Sequence, residues 1–254
     1  MTDEHSSGGV PERYDAYAAG TAEPRFTDWL RKRAEPAWTA ATDHQFTREL
    51  REDTLEDDVF RRYLIQDVAF LETLVGTVGH AVATAPTMAA KSRLSDFLGV
   101  LTDEETDYFE RSFDALEVPE AERTDPTLGP TTRALEDLLV RGGREGGYVE
   151  TLAVLVPAEW IYLSWASLHP DARLEPEARP ERFYLAEWID LHANPDFESF
   201  VGWLRSELDR EGAEASQRRQ THLERLFRRT VDLEVAFFDS AYDQHQASGG
   251  EQSW

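Results

Sequence analysis

The sequence contains no cysteine among its 254 residues. This absence excludes disulfides, thiolate metal sites and a cysteine nucleophile. There is also no apolar run of the roughly 20 residues that a membrane-spanning helix requires. The first 20 residues lack the basic start and the apolar core of a signal peptide. We therefore expect a cytoplasmic protein without a membrane partner.

Positive charge is scarce as well. The chain has 26 Lys and Arg against 50 Asp and Glu, which gives a formal net charge of −24. Because nucleic acids need cationic partners for their phosphates, this balance argues against a nucleic-acid-binding protein. Lys32 and Lys91 are the only lysines. An acid-rich, lysine-poor chain is typical of a halophilic cytosolic protein, in which concentrated salt screens the repulsion between surface acids.

Apolar residues recur with helical spacing through most of the chain, and no alternating strand pattern competes. We predict a single all-α domain at residues 21–245, between flexible tails at residues 1–20 and 246–254. Residues 140–147 and 169–183 are predicted loops, and Thr102 with Glu105 forms a capping-box pattern that predicts a helix start. The predicted helices cover residues 24–40, 44–52, 56–84, 87–100, 102–116, 130–141, 147–168, 181–192, 195–211 and 213–244.

Three of these helices carry one acid each on their apolar face. Asp67 completes the apolar stripe of the helix that begins near residue 56, Glu159 that of the helix from residue 147, and Glu234 that of the last helix. Burying an ionised carboxylate without partners costs several kcal/mol. Each acid could be half exposed or paired with an arginine of a neighbouring helix. Three together indicate a shared polar cavity in which a ligand or a metal supplies the missing partners.

Three segments that contain these acids resemble the TenA (thiaminase II) family. They are "YLIQDVAFL" at 63–71, "LAVLVPAEWIYL" at 152–163 and "VDLEVAFFDSAY" at 231–242. The resemblance covers residues 26–242 and implies the all-α bundle that this family shares with heme oxygenase. It also implies a homo-oligomer, either a dimer or a tetramer.

The resemblance implies roles for individual residues. Asp67 matches the aspartate that binds the aminopyrimidine edge of the substrate, and Glu234 matches the acid that engages a pyrimidine ring nitrogen. Phe70 stands where the family has an aromatic residue that lines the pocket, and Tyr162 matches the tyrosine one turn after the family's Pro-Cys motif. His192 stands near the family's "W-I-x-x-Y" tyrosine. We further expect Trp160 or Trp188 to stack on the substrate.

One position departs from the family pattern, because Ala158 stands where thiaminase II has its nucleophilic cysteine. The next residue, Glu159, resembles a branch of the family that lacks this cysteine. That branch is associated with the salvage of thiamin breakdown products, namely aminomethyl- or formylaminomethyl-pyrimidines. We expect amide or amine hydrolysis without a covalent intermediate and without a cofactor. Glu159 would be the general base, with Glu234 able to exchange roles with it, and His192 or Tyr162 would polarise a formyl oxygen.

Two functions of other classes stay open at this point. A dinuclear metal oxygenase on the same fold would need about six ligands. Glu105, Glu159, His192 and Asp196 could supply some of these ligands, with His80 as a further candidate. The second alternative is a non-catalytic pyrimidine-binding or regulatory protein, which the loss of the cysteine would permit.

Overall fold

Helices make up the part of the chain that the structure, a computed structural model, describes: residues 9–168 and 179–243, without the side chains of residues 104 and 105. These ranges contain twelve helices and no strand, which confirms the predicted all-α fold. None of these helices is long and apolar enough to cross a membrane. The helices are α1 (Tyr14–Ala19), α2 (Phe26–Arg33), α3 (Ala37–Thr42), α4 (Gln45–Arg51), α5 (Asp57–Thr84), α6 (Met88–Ala115), α7 (Glu120–Thr124), α8 (Pro130–Gly146), α9 (Tyr148–Ser167), α10 (Phe183–Ala193), α11 (Pro195–Glu214) and α12 (Gln217–Ser240).

Helix α9 is the central element of the fold. Every residue from Tyr148 to Tyr162 is buried, and helices α5, α8, α10, α11 and α12 all pack against it. A helix that is apolar on all sides belongs in a protein core. Polar side chains on α9 therefore face neighbouring helices rather than water, and this fixes the surroundings of Glu159.

Two predicted breaks in helices are wrong. Helix α6 runs without interruption through Thr102, whose hydroxyl donates to the carbonyl of Leu98 at 2.9 Å inside the helix. Helix α8 continues to Gly146 instead of ending before the glycine-rich segment. A Cβ atom at Gly142 would lie 3.0 Å from the side chain of Val154. These glycines thus permit close packing of α8 on α9 and do not mark a loop.

The N-terminal region also differs from the prediction. Residues 24–40 form two helices, because Pro36 has no amide hydrogen for helix bonding and clashes with the preceding turn. Within the predicted tail, α1 packs Tyr14 and Tyr17 into the hydrophobic core. The ring of Tyr14 lies 5.1 Å from that of Phe26.

Residues 1–8 and the predicted C-terminal tail lie outside the described residues, as does most of the predicted loop at 169–183.

Two glycines of α11 provide a test of this packing. A Cβ atom at Gly212 would lie 2.3 Å from the ring of Phe26, whereas one at Gly202 would meet no atom within 4 Å. Phe26 is fully buried, so its ring has no space into which to move. We expect Gly212→Ala to lower the free energy of unfolding by about 1–3 kcal/mol through overpacking. Gly202→Ala should raise it by up to about 1 kcal/mol, because alanine has the higher helix propensity.

Urea unfolding of both variants measures the difference. The packing argument fails if the two substitutions move the unfolding midpoint in the same direction.

Candidate active site

The three acids singled out in the sequence are all buried. Asp67 on α5 is 6% exposed, Glu159 on α9 is 7% exposed and Glu234 on α12 is 2% exposed. In the described part of the chain none of them forms an ion pair with a lysine, arginine or histidine. Glu150 on the same helix α9 is equally buried but has Arg219 as its partner, through two bonds of 2.8 Å. The alternative of separate arginine partners for Asp67, Glu159 and Glu234 is therefore wrong.

Two of these acids line a cavity between α5, α6, α9 and α10. Its polar wall includes Asp67, Glu159, Tyr162 and His192, and its apolar wall includes Phe70. Ala158, at the position of the family's cysteine, also lines it. Glu234 is not among the lining residues, and its Oε1 atom is buried without a hydrogen-bond partner in the described structure. The remaining lining residues are Leu71, Leu74, Leu101 and Trp188.

Trp160 does not lie in this cavity, so its predicted position against a substrate is wrong. Its ring lies 4.7 Å from that of Trp38 on α3, and the guanidinium of Arg205 on α11 stands 3.7 Å above it. Trp160 follows Glu159 directly, and successive residues of a helix point about 100° apart. On α9, which is buried on all sides, Trp160 therefore belongs to a different interface.

Burial and mutual repulsion change the acidity of the three acids. Burial raises the pKa of Asp67 to about 7, although a hydrogen bond from Tyr63 opposes this effect. Burial, reinforced by the charge of Asp67, raises the pKa of Glu159 to about 8. The pKa of Glu234 is raised well above its ordinary value by burial and then by the charges of Asp67 and Glu159. These carboxyl groups therefore hold protons near neutral pH.

His192 has a defined hydrogen-bonding role. Its Nδ1 atom lies 2.8 Å from the carbonyl oxygen of Trp188, one turn earlier on α10. Since a carbonyl can only accept, Nδ1 carries the proton. Burial lowers the pKa of His192 to about 4, so the ring is neutral and Nε2 is an acceptor. In this state His192 cannot donate to a formyl oxygen, contrary to the sequence-based expectation, and Tyr162 is the remaining donor of that pair.

The described residues contain no group of three or more His, Asp and Glu that could hold a metal ion. Asp196 is exposed at the start of α11, and His80 packs against Gly143 of α8. The side chain of Glu105 lies outside the described part of the structure. Of the other ligands that the sequence suggested for a dinuclear centre, His192 shares the cavity with Glu159, whereas Asp196 and His80 do not line it.

Two residues of this region were missed or left open in the sequence. Tyr63 was read only as part of an apolar stripe, but it lies four residues before Asp67 and hence on the same face of α5. Trp188 was one of four candidates for stacking, beside Phe70, Tyr162 and Trp160, and it lies four residues before His192. Each of these aromatic residues stands four positions before a polar candidate, Asp67 or His192. This i, i+4 spacing could have identified both of them.

The family of the chain follows from comparison with known proteins. The model of the TENA/THI-4/PQQC family matches residues 31–244, which include all three buried acids. The chain belongs to this family. The resemblance of the three segments that contain Asp67, Glu159 and Glu234 is thereby confirmed.

Curated relatives of this TENA/THI-4/PQQC family protein include two aminopyrimidine aminohydrolases that match almost end to end. The protein from Halalkalibacterium halodurans is 26% identical over 223 residues, covering 86% of this chain and 96% of the relative. That from Helicobacter pylori is 25% identical over 218 residues, covering 85% of this chain and 98% of the relative.

Solved structures of the family share its fold. A TenA homologue from P. horikoshii superimposes with a TM-score of 0.74 at 22% identity, covering 86% of this chain and 98% of the other. A TenA family transcription regulator from Silicibacter sp. gives a TM-score of 0.75 at 23% identity, covering 85% and 96%. The helical bundle of this protein is therefore the TenA fold.

Proposed function

We propose that this protein is an aminopyrimidine hydrolase that cleaves a side-chain carbon–nitrogen bond, the amine of an aminomethyl-pyrimidine or the amide of a formylaminomethyl-pyrimidine, as expected for salvage of thiamin breakdown products. The observation that carries the proposal is the meeting of three buried carboxyl groups, from α5, α9 and α12, without a basic partner in the described structure. A ligand rich in N–H donors satisfies such a site, and a cationic ligand satisfies it best. The curated relatives named aminopyrimidine aminohydrolase support the same substrate class.

Recognition of the pyrimidine falls to the acids and to the aromatic walls. Asp67 would bind the edge of the pyrimidine that carries the ring amine. The Oε1 atom of Glu234 has no hydrogen-bond partner in the described structure, and the charges of Asp67 and Glu159 act on this carboxyl group. A ring nitrogen of the bound pyrimidine would supply its missing partner. Phe70, Tyr162 and Trp188 provide ring surfaces, and aromatic stacking adds about 0.5–1.5 kcal/mol beyond the area buried.

The hydrolysis needs no covalent intermediate. Ala158 offers no nucleophile, so water attacks the carbon that carries the leaving nitrogen. Glu159 takes a proton from this water while the carbon–oxygen bond forms. The carbon–nitrogen bond breaks with its electron pair on nitrogen, and Glu159 then passes the proton to the released amine. A bound cation would lower the pKa of Glu159 from its value of about 8, which prepares the carboxylate for this role.

The polar groups of the cavity favour the free amine over the formyl derivative. The neutral Nε2 of His192 accepts a hydrogen bond from an amine N–H but offers nothing to a formyl oxygen. The two carboxyl groups that line the cavity, Asp67 and Glu159, likewise favour an ammonium group. The aminomethyl side chain is therefore the better substrate. Oligomerisation and a cytoplasmic location remain predictions from the sequence.

The proposal is tested with the purified full chain and both pyrimidines. We expect release of ammonia and formation of the pyrimidine alcohol from the aminomethyl compound, with slower release of formate from the formyl compound. Substitution of Glu234 by Gln should lower kcat/KM about tenfold, since one hydrogen bond to the ring is weakened. Asp239→Asn is the control, because Asp239 lies on the same helix but is 69% exposed.

Turnover of neither compound despite tight binding would identify a binding or regulatory protein instead. If kcat/KM falls equally in the Glu234 and Asp239 variants, Glu234 is not part of the substrate site.

A further inference from the structure

The hydroxyl of Tyr63 lies between two groups of the cavity without reaching the cavity itself. Tyr63 is 1% exposed and does not line the cavity. Its ring is enclosed by Phe46 at 4.6 Å and Phe237 at 5.4 Å between ring centroids. No solvent can replace the partners of this hydroxyl, so its hydrogen bonds are confined to neighbouring protein groups.

Those neighbours are Tyr162 and Asp67. The hydroxyl oxygens of Tyr63 and Tyr162 are 2.7 Å apart. Asp67 is one turn after Tyr63 on the same face of α5 and lines the same cavity as Tyr162. A hydrogen bond from Tyr63 lowers the pKa of Asp67, against the larger effect of burial. The three groups form a short chain in which the middle hydroxyl has one proton to donate. Only one of its two neighbours can receive that proton at a time.

We propose that Tyr63 is a positioning residue whose hydroxyl makes the hydrogen-bonding direction of Tyr162 follow the charge of Asp67. When Asp67 is ionised, Tyr63 donates to it, Tyr162 donates to Tyr63, and Tyr162 presents an oxygen lone pair to the cavity. When Asp67 is protonated, it can donate to Tyr63, which then donates to Tyr162. The Tyr162 hydroxyl proton is then free to point into the cavity.

The link has a chemical consequence for the proposed reaction. An ammonium-bearing substrate keeps Asp67 ionised, and Tyr162 then acts as a further acceptor for that substrate. With a protonated Asp67, Tyr162 becomes a donor and disfavours the same ligand. This consequence rests on the proposed function, whereas the link between the three groups does not.

Other groups that titrate or carry charge surround Asp67 and have to be considered. Burial and the charges of Asp67 and Glu234 raise the pKa of Tyr162 far above neutrality, and Tyr63 behaves likewise, so both remain protonated hydroxyls. On α8, which packs on α5, Glu136 accepts a hydrogen bond from Thr73 and so faces Thr73 rather than Asp67. The groups close to Asp67 are Glu159 and Tyr162 on α9, Glu234 on α12, Tyr108 on α6 and His192 on α10.

The test is a carbon-13 NMR titration of the Asp67 carboxyl group in the full-length protein, with the signal assigned through Asp67→Asn. In Tyr63→Phe the carboxylate loses its donor, so its apparent pKa should rise by about one unit. Tyr108→Phe is the matched control. Tyr108 is equally buried, but its hydroxyl donates to the carbonyl of Tyr184 at 2.7 Å, so the Asp67 titration should stay in place.

A second comparison separates the link from a general loss of packing. Tyr162→Phe should shift the Asp67 titration in the wild-type background and not in the Tyr63→Phe background. Equal shifts in both backgrounds, or no shift in a folded Tyr63→Phe protein, overturn the proposal. If Tyr63→Phe does not fold, the side-chain carbon signals of Tyr63 and Tyr162 in the wild-type protein decide. The chemical shifts of these signals should change together with the Asp67 titration, and the change should be larger than that of the Tyr108 signal.

The kinetic consequence is read separately. The acid limb of the kcat/KM profile should move with the Asp67 titration in Tyr63→Phe and stay in place in Tyr108→Phe. If the wild-type protein shows no hydrolysis, the proposed function fails, and the NMR titrations still decide the link.

Discussion

Substitution of Glu159 by Gln is expected to lower kcat by about 10²–10⁴-fold, the range typical of the loss of a general base. Glutamine keeps the size of the side chain but cannot take the proton of the attacking water. Binding of the pyrimidine should change little, because Asp67 and the aromatic walls are unaltered. Steady-state kinetics with calorimetric binding measures both effects. Full activity in this variant would eliminate the proposed mechanism.

The same substitution should stabilise the protein at alkaline pH. Burial raises the pKa of Glu159 from its ordinary value of 4.5 to about 8. Between these values the folded protein holds a proton that the unfolded chain has released, so the free energy of unfolding falls as pH rises. Glutamine carries no such charge. We expect Glu159→Gln to be more stable than wild type by about 5 kcal/mol at pH 9 and nearly equal to it at pH 4.

Glu150→Gln is the matched control for stability. Glu150 also lies on α9 and is 5% exposed, but Arg219 satisfies its carboxylate through two hydrogen bonds. Loss of this pair should lower the free energy of unfolding at pH 9 by about 1 kcal/mol, a modest cost because Arg219 stays partly hydrated. If Glu159→Gln raises the free energy of unfolding while Glu150→Gln lowers it, Glu159 is kept for function at the expense of stability. Destabilisation by both would contradict the absence of a partner for Glu159.

Substitution of Asp67 by Asn should weaken binding of a 4-aminopyrimidine about 100-fold at pH 8. The substitution replaces a charge-assisted hydrogen bond by a neutral one, a loss of about 2–3 kcal/mol. At pH 5 the wild-type residue is itself protonated, because its pKa is about 7. The two proteins should then bind the ligand within about threefold of each other. Calorimetry at the two pH values measures the difference.

Glu72→Gln controls for the change in net charge. Glu72 lies five residues further along α5 and is exposed, so its loss should leave binding unchanged at both pH values. A loss of affinity in Asp67→Asn that is equally large at pH 5 would point to a structural role for this side chain. In that case Asp67 would not be the group that binds the ligand charge.

Helical periodicity predicted most element boundaries well, and particular errors have identifiable causes. Helix α5 was predicted at 56–84 and found at Asp57–Thr84, because a long apolar stripe is a strong signal. The glycines near residue 142 were read as a loop because glycine disfavours helices. They lie within α8 because a neighbouring helix occupies the space of the missing side chains. This packing depends on contacts between two helices, and the sequence around residue 142 does not reveal those contacts.

The candidate site likewise has features that the sequence predicted and features that only the tertiary structure decided. The sequence alone identified Asp67, Glu159 and Glu234, because an acid on an apolar stripe is visible in the spacing of one helix. Their convergence, the exclusion of Trp160 from the cavity and the acceptor state of His192 were decided only by the tertiary structure. The order of residues along a helix determines which face a side chain occupies. The packing of helices determines what that face meets, and therefore which charges interact and which protons are held.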